Sequence, residues 1–256
     1  MYKVGILIPS TTNDKSWKTI KYYYLYSYFF SSFLKTRCVN VLYTIYLGIE
    51  SDDSIYGNKK ELNKIVDSIK NIKNVSLELV YLDHVEKGYL TKMWNILCKK
   101  AYDDNCDYFY QCGDDINFLT KNWTTTCIEA LKKQNNIGLT GPFDVNRTER
   151  LGNDANIGSE RFIQTQSFVS KKHFEIFSFF FPEEIKNWYC DDWITYVYFP
   201  KYFIYIQNSK IRNSGDTNPR YHIQSHKKKY IIELIRRDRL LLENYINKQK
   251  SEIELQ

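Results

Sequence analysis

An α/β fold built on a mainly parallel sheet follows from three observations. Apolar runs over residues 4–9, 39–49, 75–82 and 107–112 read as strands. Stretches with apolar residues every three or four positions lie between them and are long enough for helices. A polar cluster closes three of the four runs, and the carboxyl ends of parallel strands are where such sheets bind ligands.

The elements follow in order. Val4, Ile6, Leu7 and Ile8 form a buried strand that ends in the loop-favouring series Pro9, Ser10, Thr11, Thr12 and Asn13. Residues 17–34 can form a helix. The second strand, over 39–49, closes with Glu50, Ser51, Asp52 and Asp53. Leu62, Ile65, Val66 and Ile69 predict a helix over 59–72, and the third strand covers 75–82. Leu90, Met93, Trp94, Leu97 and Ala101 share one face of a helix over 90–102. The strand over 107–112 runs directly into Gly113, Asp114 and Asp115. A helix over 122–133, capped by Asn122, and a short strand over 137–141 come next. Helices of this length between strands imply right-handed crossovers and parallel pairing. After a polar loop over 143–158, a strand over 162–169 and an apolar helix or turn over 173–181 are expected. A strand pair around 203–206 and Ile211, then a helix over about 228–248, complete the chain.

Composition narrows the function. With 43% hydrophobic and 26% charged residues the chain has the balance of a globular protein, not a disordered one. The net charge of +6 resides in the tail, where 12 Lys and Arg face 6 Asp and Glu from Lys201 onward. The neutral remainder argues against nucleic acid as a partner. No run reaches the roughly 18 apolar residues of a membrane span, and residues 1–9 read as a strand, not as a secretory signal. A cytoplasmic protein with six reduced, buried cysteines is expected. The Lys-, Asn-, Ile- and Tyr-rich composition suits an AT-rich viral or parasite genome. No repeat or linker divides the chain, so 1–256 reads as one domain.

Two acidic constellations can carry chemistry. Asp114 and Asp115, at the end of a buried strand and preceded by a glycine, can hold a hard divalent cation such as Mn²⁺ or Mg²⁺. Such an ion takes up negative charge on a departing diphosphate. Solvated aspartates in a strand-end turn are the plain alternative. Asp191 and Asp192 form the second pair, flanked by Trp188, Tyr189 and Trp193, whose rings can stack on sugar faces or fill a core.

The order of these pieces resembles the GT-A glycosyltransferases over about residues 3–215. Asp107 to Phe118, "DYFYQCGDDINF", is similar to their Asp-x-Asp element, with glycine where the first aspartate would stand. The resemblance implies a Rossmann-like GT-A fold and a metal-dependent hexosyl- or pentosyltransferase. It divides the chain into a nucleotide-sugar half (1–120), an acceptor half (121–226) and a basic amphipathic C-terminal helix (227–256). It implies that Pro9, Ser10, Thr11 and either Asp52 or Asp53 hold the nucleotide, and that Asp115, then Asp114, binds the metal, with Asn117 a weak third ligand. Asn95 and Lys92 lie on the helix before the acidic strand, where Asn95 can line the donor pocket. Asp192, then Asp191, is implied as the base of an inverting transfer. His222 is implied as a C-terminal metal ligand with His226 its rival, and Arg220 as a cation on the diphosphate. The implied donor is a nucleotide sugar, with UDP favoured, and the acceptor a hydroxyl on a glycan, protein or lipid. A non-catalytic nucleotide- or glycan-binding module is the alternative. The basic C-terminal helix is expected to dock by its apolar stripe or to touch a membrane surface.

Overall fold

The structure is a computed structural model that describes residues 1–13, 15–146, 163–215, 221–224, 226 and 228–252, with the backbone of 253–254. Its strands are β1 (Tyr2–Pro9), β2 (Val41–Ile49), β3 (Val75–Tyr81), β4 (Tyr108–Gln111), β5 (Ile116–Phe118), β6 (Pro142–Asp144), β7 (Phe168–Ser170) and β8 (Ile206–Asn213). The α-helices are α1 (Ser31–Thr36), α2 (Lys59–Lys70), α3 (Leu90–Asp103), α4 (Trp123–Lys132), α5 (Lys172–Phe177), α6 (Cys190–Tyr198) and α7 (Lys228–Glu254).

The central sheet has the order β3-β2-β1-β4-β7. Its first four strands are parallel, and β7 runs antiparallel against β4. Strand β1 sits in the middle and is covered on both faces, which is why its sequence is continuously aliphatic rather than alternating. Val4, Ile6 and Ile8 pack with residues of the 20–33 segment and α2, while Leu7 packs against Trp94 and Leu97 of α3. Helix α3 lies so close that a Cβ at Gly5 would sit 2.9 Å from Ala101 Cβ. A second sheet, β5-β8-β6, is set by long-range pairs such as Ile116 with Asn213. No sequence expectation covered it.

Several elements depart from expectation. The helix expected over 17–34 is a 3₁₀ turn (Ile20–Tyr22), a π-helical stretch (Leu25–Phe30) and α1. Ser27, Ser32 and Thr36 each bond back to the carbonyl four residues earlier, which competes with regular helix geometry. The strand expected over 137–141 is reduced to bridges at Leu139 and Thr140, and the pairing moves on to β6. Of the strand expected over 162–169, only the end near β7 forms a ladder, and residue 162 lies outside the described residues. The strand pair expected around 203–211 is the single strand β8, with Phe203 only bridging Leu139. Asn122 precedes α4 in a left-handed conformation without a side-chain cap; its N–H donates to Thr36 O.

Helix α7 docks on the domain by Ile231, Leu234, Ile235 and Leu242, while Leu241 stays exposed. Inside this contact Trp193 Nε1 donates to Asp238 Oδ2 at 2.9 Å, and Arg237 Nε donates to Asp238 Oδ1 at 2.7 Å. The buried part of the apolar stripe is therefore packed against the domain. Among the described residues, no helix is long and apolar enough to cross a membrane. All six cysteines are buried and unbridged.

Candidate functional site

A cavity of about 890 Å³ opens at the carboxyl ends of β1, β2 and β4. This is the place the parallel-sheet rule assigns to a ligand. Of the residues singled out in the sequence, Pro9, Ser10 and Thr11, Asp115, Asp191 and Asp192, and His222 all line it. The chain brings these seven together from four separate segments.

The two aspartates after β4 face different surroundings. Asp115 lines the cavity, whereas Asp114 is fully buried beneath it. The Ser10 hydroxyl donates to Asp114 Oδ2 at 2.7 Å and the Tyr23 hydroxyl donates to the same oxygen. Tyr56 OH joins the cluster through Ser10 Oγ at 2.7 Å. A buried carboxylate is tolerable only with hydrogen bonds of this kind. Asp114, expected at the metal or nucleotide, thus ties the β1 loop to the acidic turn and does not line the cavity. Gln166 Oε1 accepts the Gly113 N–H at 3.1 Å and braces the turn from its other side.

The acidic group after β2 is also sorted by the fold. Asp53 is buried and accepts the Thr12 N–H at 2.6 Å, the N–H groups of Ile55 and Tyr56 at 3.0 Å each, and the Thr12 hydroxyl. Burial alone would raise its carboxyl, but the Thr12 hydroxyl and the backbone donors of Tyr56, Thr12 and Ile55 outweigh it and hold the group below the usual range. Asp53 is a loop clamp and does not line the cavity. Asp52 is exposed and pairs with Lys87 at 3.1 Å. Glu50, at the end of β2, is the carboxylate of this group that lines the cavity. Burial pushes its carboxyl up, against the pull of Lys87 at 4.0 Å. Sequence reading named Glu50 only as part of a polar run; its position directly after the last strand residue was the available signal.

Asn95 is used structurally and is absent from the cavity wall. Its Nδ2 donates to Phe181 O at 2.8 Å, and its Oδ1 accepts the N–H groups of Phe180 and Phe181 at 2.9 Å each. Lys92 lies 5.8 Å from the Tyr89 ring centre. Asn117 sits within β5, opposite Arg212, and His226 stacks on Tyr230, both away from the cavity lining. The position expected to meet a diphosphate, Arg220, lies outside the described residues.

Asp191 and Asp192 occupy the first turn of α6, where the partial positive charge of a helix N-terminus favours carboxylates. Trp193, next in sequence, is fully buried, so the aromatic flank divides: Trp193 is core, while Trp188 is 48% exposed on the cavity wall. Tyr189 precedes the helix at φ 76, a left-handed conformation uncommon for a large side chain.

Two glycines, Gly113 and Gly215, approach the Asp115 carboxylate closely. A Cβ on Gly113 would lie 2.5 Å from Asp115 Oδ1, and one on Gly215 would overlap Oδ2. Among the described residues no three His, Cys, Asp or Glu are grouped to hold a metal. These residues fit an ion carried by one carboxylate and completed by ligand oxygens, the usual habit of Mg²⁺, and do not form a preformed protein cage.

The sheet order and the cavity at its strand ends define an α/β chain with the GT-A type of fold. Solved structures of S. aureus TarS share that fold. TarS 1–349 in complex with UDP superposes with a TM-score of 0.55 at 11% identity, covering 92% of this chain and 65% of TarS 1–349. The complex with UDP-GlcNAc gives 0.59 at 11% identity, over 95% of this chain and 67% of that one. A further S. aureus TarS structure gives 0.54 at 14%, and this chain spans 36% of it. No family model matches the sequence, and no curated protein does.

Proposed function

We propose that this chain is a glycosyltransferase that moves a sugar from a nucleoside-diphosphate donor, with UDP-sugar favoured, to a hydroxyl on a glycan, protein or lipid. One observation carries the reading. A single cavity at the ends of β1, β2 and β4 holds Asp115 from the acidic turn and Asp191 and Asp192 from α6. The shared fold of TarS structures solved with UDP and with UDP-GlcNAc supports the same donor class.

The residues divide the work. Pro9, Ser10 and Thr11 flank the nucleotide, and Glu50 takes the base- or ribose-binding place expected of Asp52 or Asp53. Asp115 would hold Mn²⁺ or Mg²⁺, with His222 on the same cavity wall as a further ligand, and the ion would supply charge neutralisation at the diphosphate. Asp192, with Asp191 beside it, accepts the proton of the incoming hydroxyl. The acceptor oxygen bonds to the anomeric carbon as the bond from that carbon to the diphosphate breaks, and the diphosphate leaves with the bonding pair. Attack opposite the leaving group inverts the anomeric centre. Trp188 offers its ring to the acceptor sugar.

The test is release of nucleoside diphosphate from a panel of UDP-sugars with Mn²⁺ and a hydroxyl acceptor. Wild type is expected to turn over, with Asp192→Asn slower by about a hundredfold or more. Product showing retained anomeric configuration by NMR removes Asp192 from the role of base. A second reading, a binding module without turnover, is favoured by Gly113 in the first aspartate's place and by the burial of Asp114. It requires nucleotide binding with no diphosphate release.

A further inference from the structure

One buried side chain joins three of the segments that wall the cavity. Asn187, 2% exposed, stands between α5 and α6. Its Nδ2 donates to Gly88 O at 3.1 Å and to His222 O at 3.0 Å. Its Oδ1 accepts the Trp188 N–H at 2.7 Å and the Gln224 N–H at 3.0 Å. All four hydrogen-bonding positions of the amide group are therefore filled, each by backbone. No charged or shorter side chain can make the same set.

The partners matter more than their number. Gly88 opens the turn before α3, Trp188 begins the turn that leads to Asp191 and Asp192, and His222 and Gln224 belong to a strap over 221–224. Gly88, Asn187, Trp188, Tyr221 and His222 all line the cavity. The strap lies tight on the Gly88 turn: Gly88 has φ +79, and a Cβ there would sit 3.0 Å from Tyr221 Cβ. The α3 side of this junction is anchored separately, because the Thr91 hydroxyl donates to Ile185 O at 2.5 Å. Asn187 thus extends a fixed contact between the α3 turn and residues 185–187 to include the strap.

We propose that Asn187 is a positioning residue: its amide seats the 221–224 strap against the Gly88 turn and sets it in register with the turn that carries Asp191 and Asp192. The inference deepens the glycosyltransferase reading, since it assigns the strap, with Tyr221 and His222, to the wall of the donor cavity. Side chains delivered from separate segments act together only when such a clamp fixes their spacing. Asn187 itself touches no reacting atom.

The test uses the full chain as wild type, Asn187→Asp, Gly88→Ala and the double variant. Asn187→Asp keeps the shape and the oxygen that accepts from Trp188 and Gln224 but turns a carboxylate oxygen toward two carbonyls. Gly88→Ala leaves Asn187 intact and pushes Tyr221 away. Hydrogen exchange of the 222–224 amides in ligand-free protein reads the clamp directly. We expect exchange about tenfold faster in each single variant, an affinity for UDP with Mn²⁺ about tenfold lower, and a donor KM raised with kcat within about threefold. The double variant should be little worse than either single one, because both unseat the same strap.

Unchanged exchange in Asn187→Asp overturns the clamp. Faster exchange with unchanged UDP affinity overturns its positioning role and leaves a structural bond. Should Asn187→Asp fail to fold, Gly88→Ala decides: normal UDP affinity with a displaced strap overturns the proposal. Failure of wild type to bind any nucleoside diphosphate sinks the glycosyltransferase reading instead, while the exchange data still decide the clamp.

Discussion

Ser10 Oγ donates to Asp114 Oδ2 at 2.7 Å below the cavity, while the next residue, Asp115, lines the cavity itself. Two adjacent carboxylates therefore do different things, one tying down the β1 loop and the other lining the cavity.

Substitution should separate them. Asp114→Asn weakens a buried cluster of charge-assisted bonds and should cost about 2–4 kcal/mol, lowering Tm by about 5–10 °C. Asp115→Asn should leave Tm within about 2 °C, since its carboxylate faces the cavity. Thermal denaturation of both variants checks this, and equal losses would contradict the division.

His173 should make the fold acid-sensitive. It is fully buried in the α5–α6 core, where Nε2 donates to Phe180 O at 3.0 Å and Nδ1 accepts from Tyr198 OH at 2.9 Å, the assignment a carbonyl partner requires. Burial lowers its pKa from 6.5 to about 4. Between those values the unfolded chain binds a proton that the folded chain refuses, so stability falls as pH drops from 6.5 towards 4. The loss reaches about 3 kcal/mol at the lower end. His173→Gln should flatten the Tm-against-pH curve over that window; parallel curves would remove His173 as the cause.

The docking of α7 should depend on one indole. Trp193→Phe removes the donor to Asp238 Oδ2 and leaves that buried oxygen with Arg237 Nη2 at 3.0 Å. A cost of about 1–3 kcal/mol is expected, read as a lower urea midpoint with an unchanged slope. An unchanged midpoint would show that the apolar contact of Ile231, Leu234, Ile235 and Leu242 holds the helix alone.

Trp188 should act on the acceptor only. Trp188→Ala removes an exposed ring from the cavity wall and should raise acceptor KM by about fivefold to tenfold. Stabilisation by UDP should not change. A matching loss of UDP binding would move Trp188 to the donor side.

Much of this architecture was legible because the physics was local. The continuous aliphatic run of β1 announces a strand buried on both faces, and Leu90, Met93, Trp94 and Leu97 announce α3 by spacing alone. The small sheet was not legible, since β5 and β6 are three-residue strands whose partner, β8, is distant in sequence. The acidic clusters were found, and Asp115 was ranked ahead of Asp114, but nothing marked Glu50 over Asp52 or Asp53 as the carboxylate that lines the cavity. That choice depends on the donors from Thr11, Thr12, Ile55 and Tyr56 that gather around Asp53, which have no sequence period. Asn187 gave no signal at all, because its partners lie at 88, 222 and 224.

The most direct test of donor binding is a thermal-shift panel of UDP, GDP, CDP and dTDP, with and without Mn²⁺, on wild type and Asp115→Asn. We expect one nucleotide, UDP, to stabilise wild type in a metal-dependent way and to do nothing for Asp115→Asn. No stabilisation of wild type by any nucleotide, or full stabilisation of the Asp115→Asn protein, would contradict the assignment of this cavity to a metal-bound nucleotide sugar.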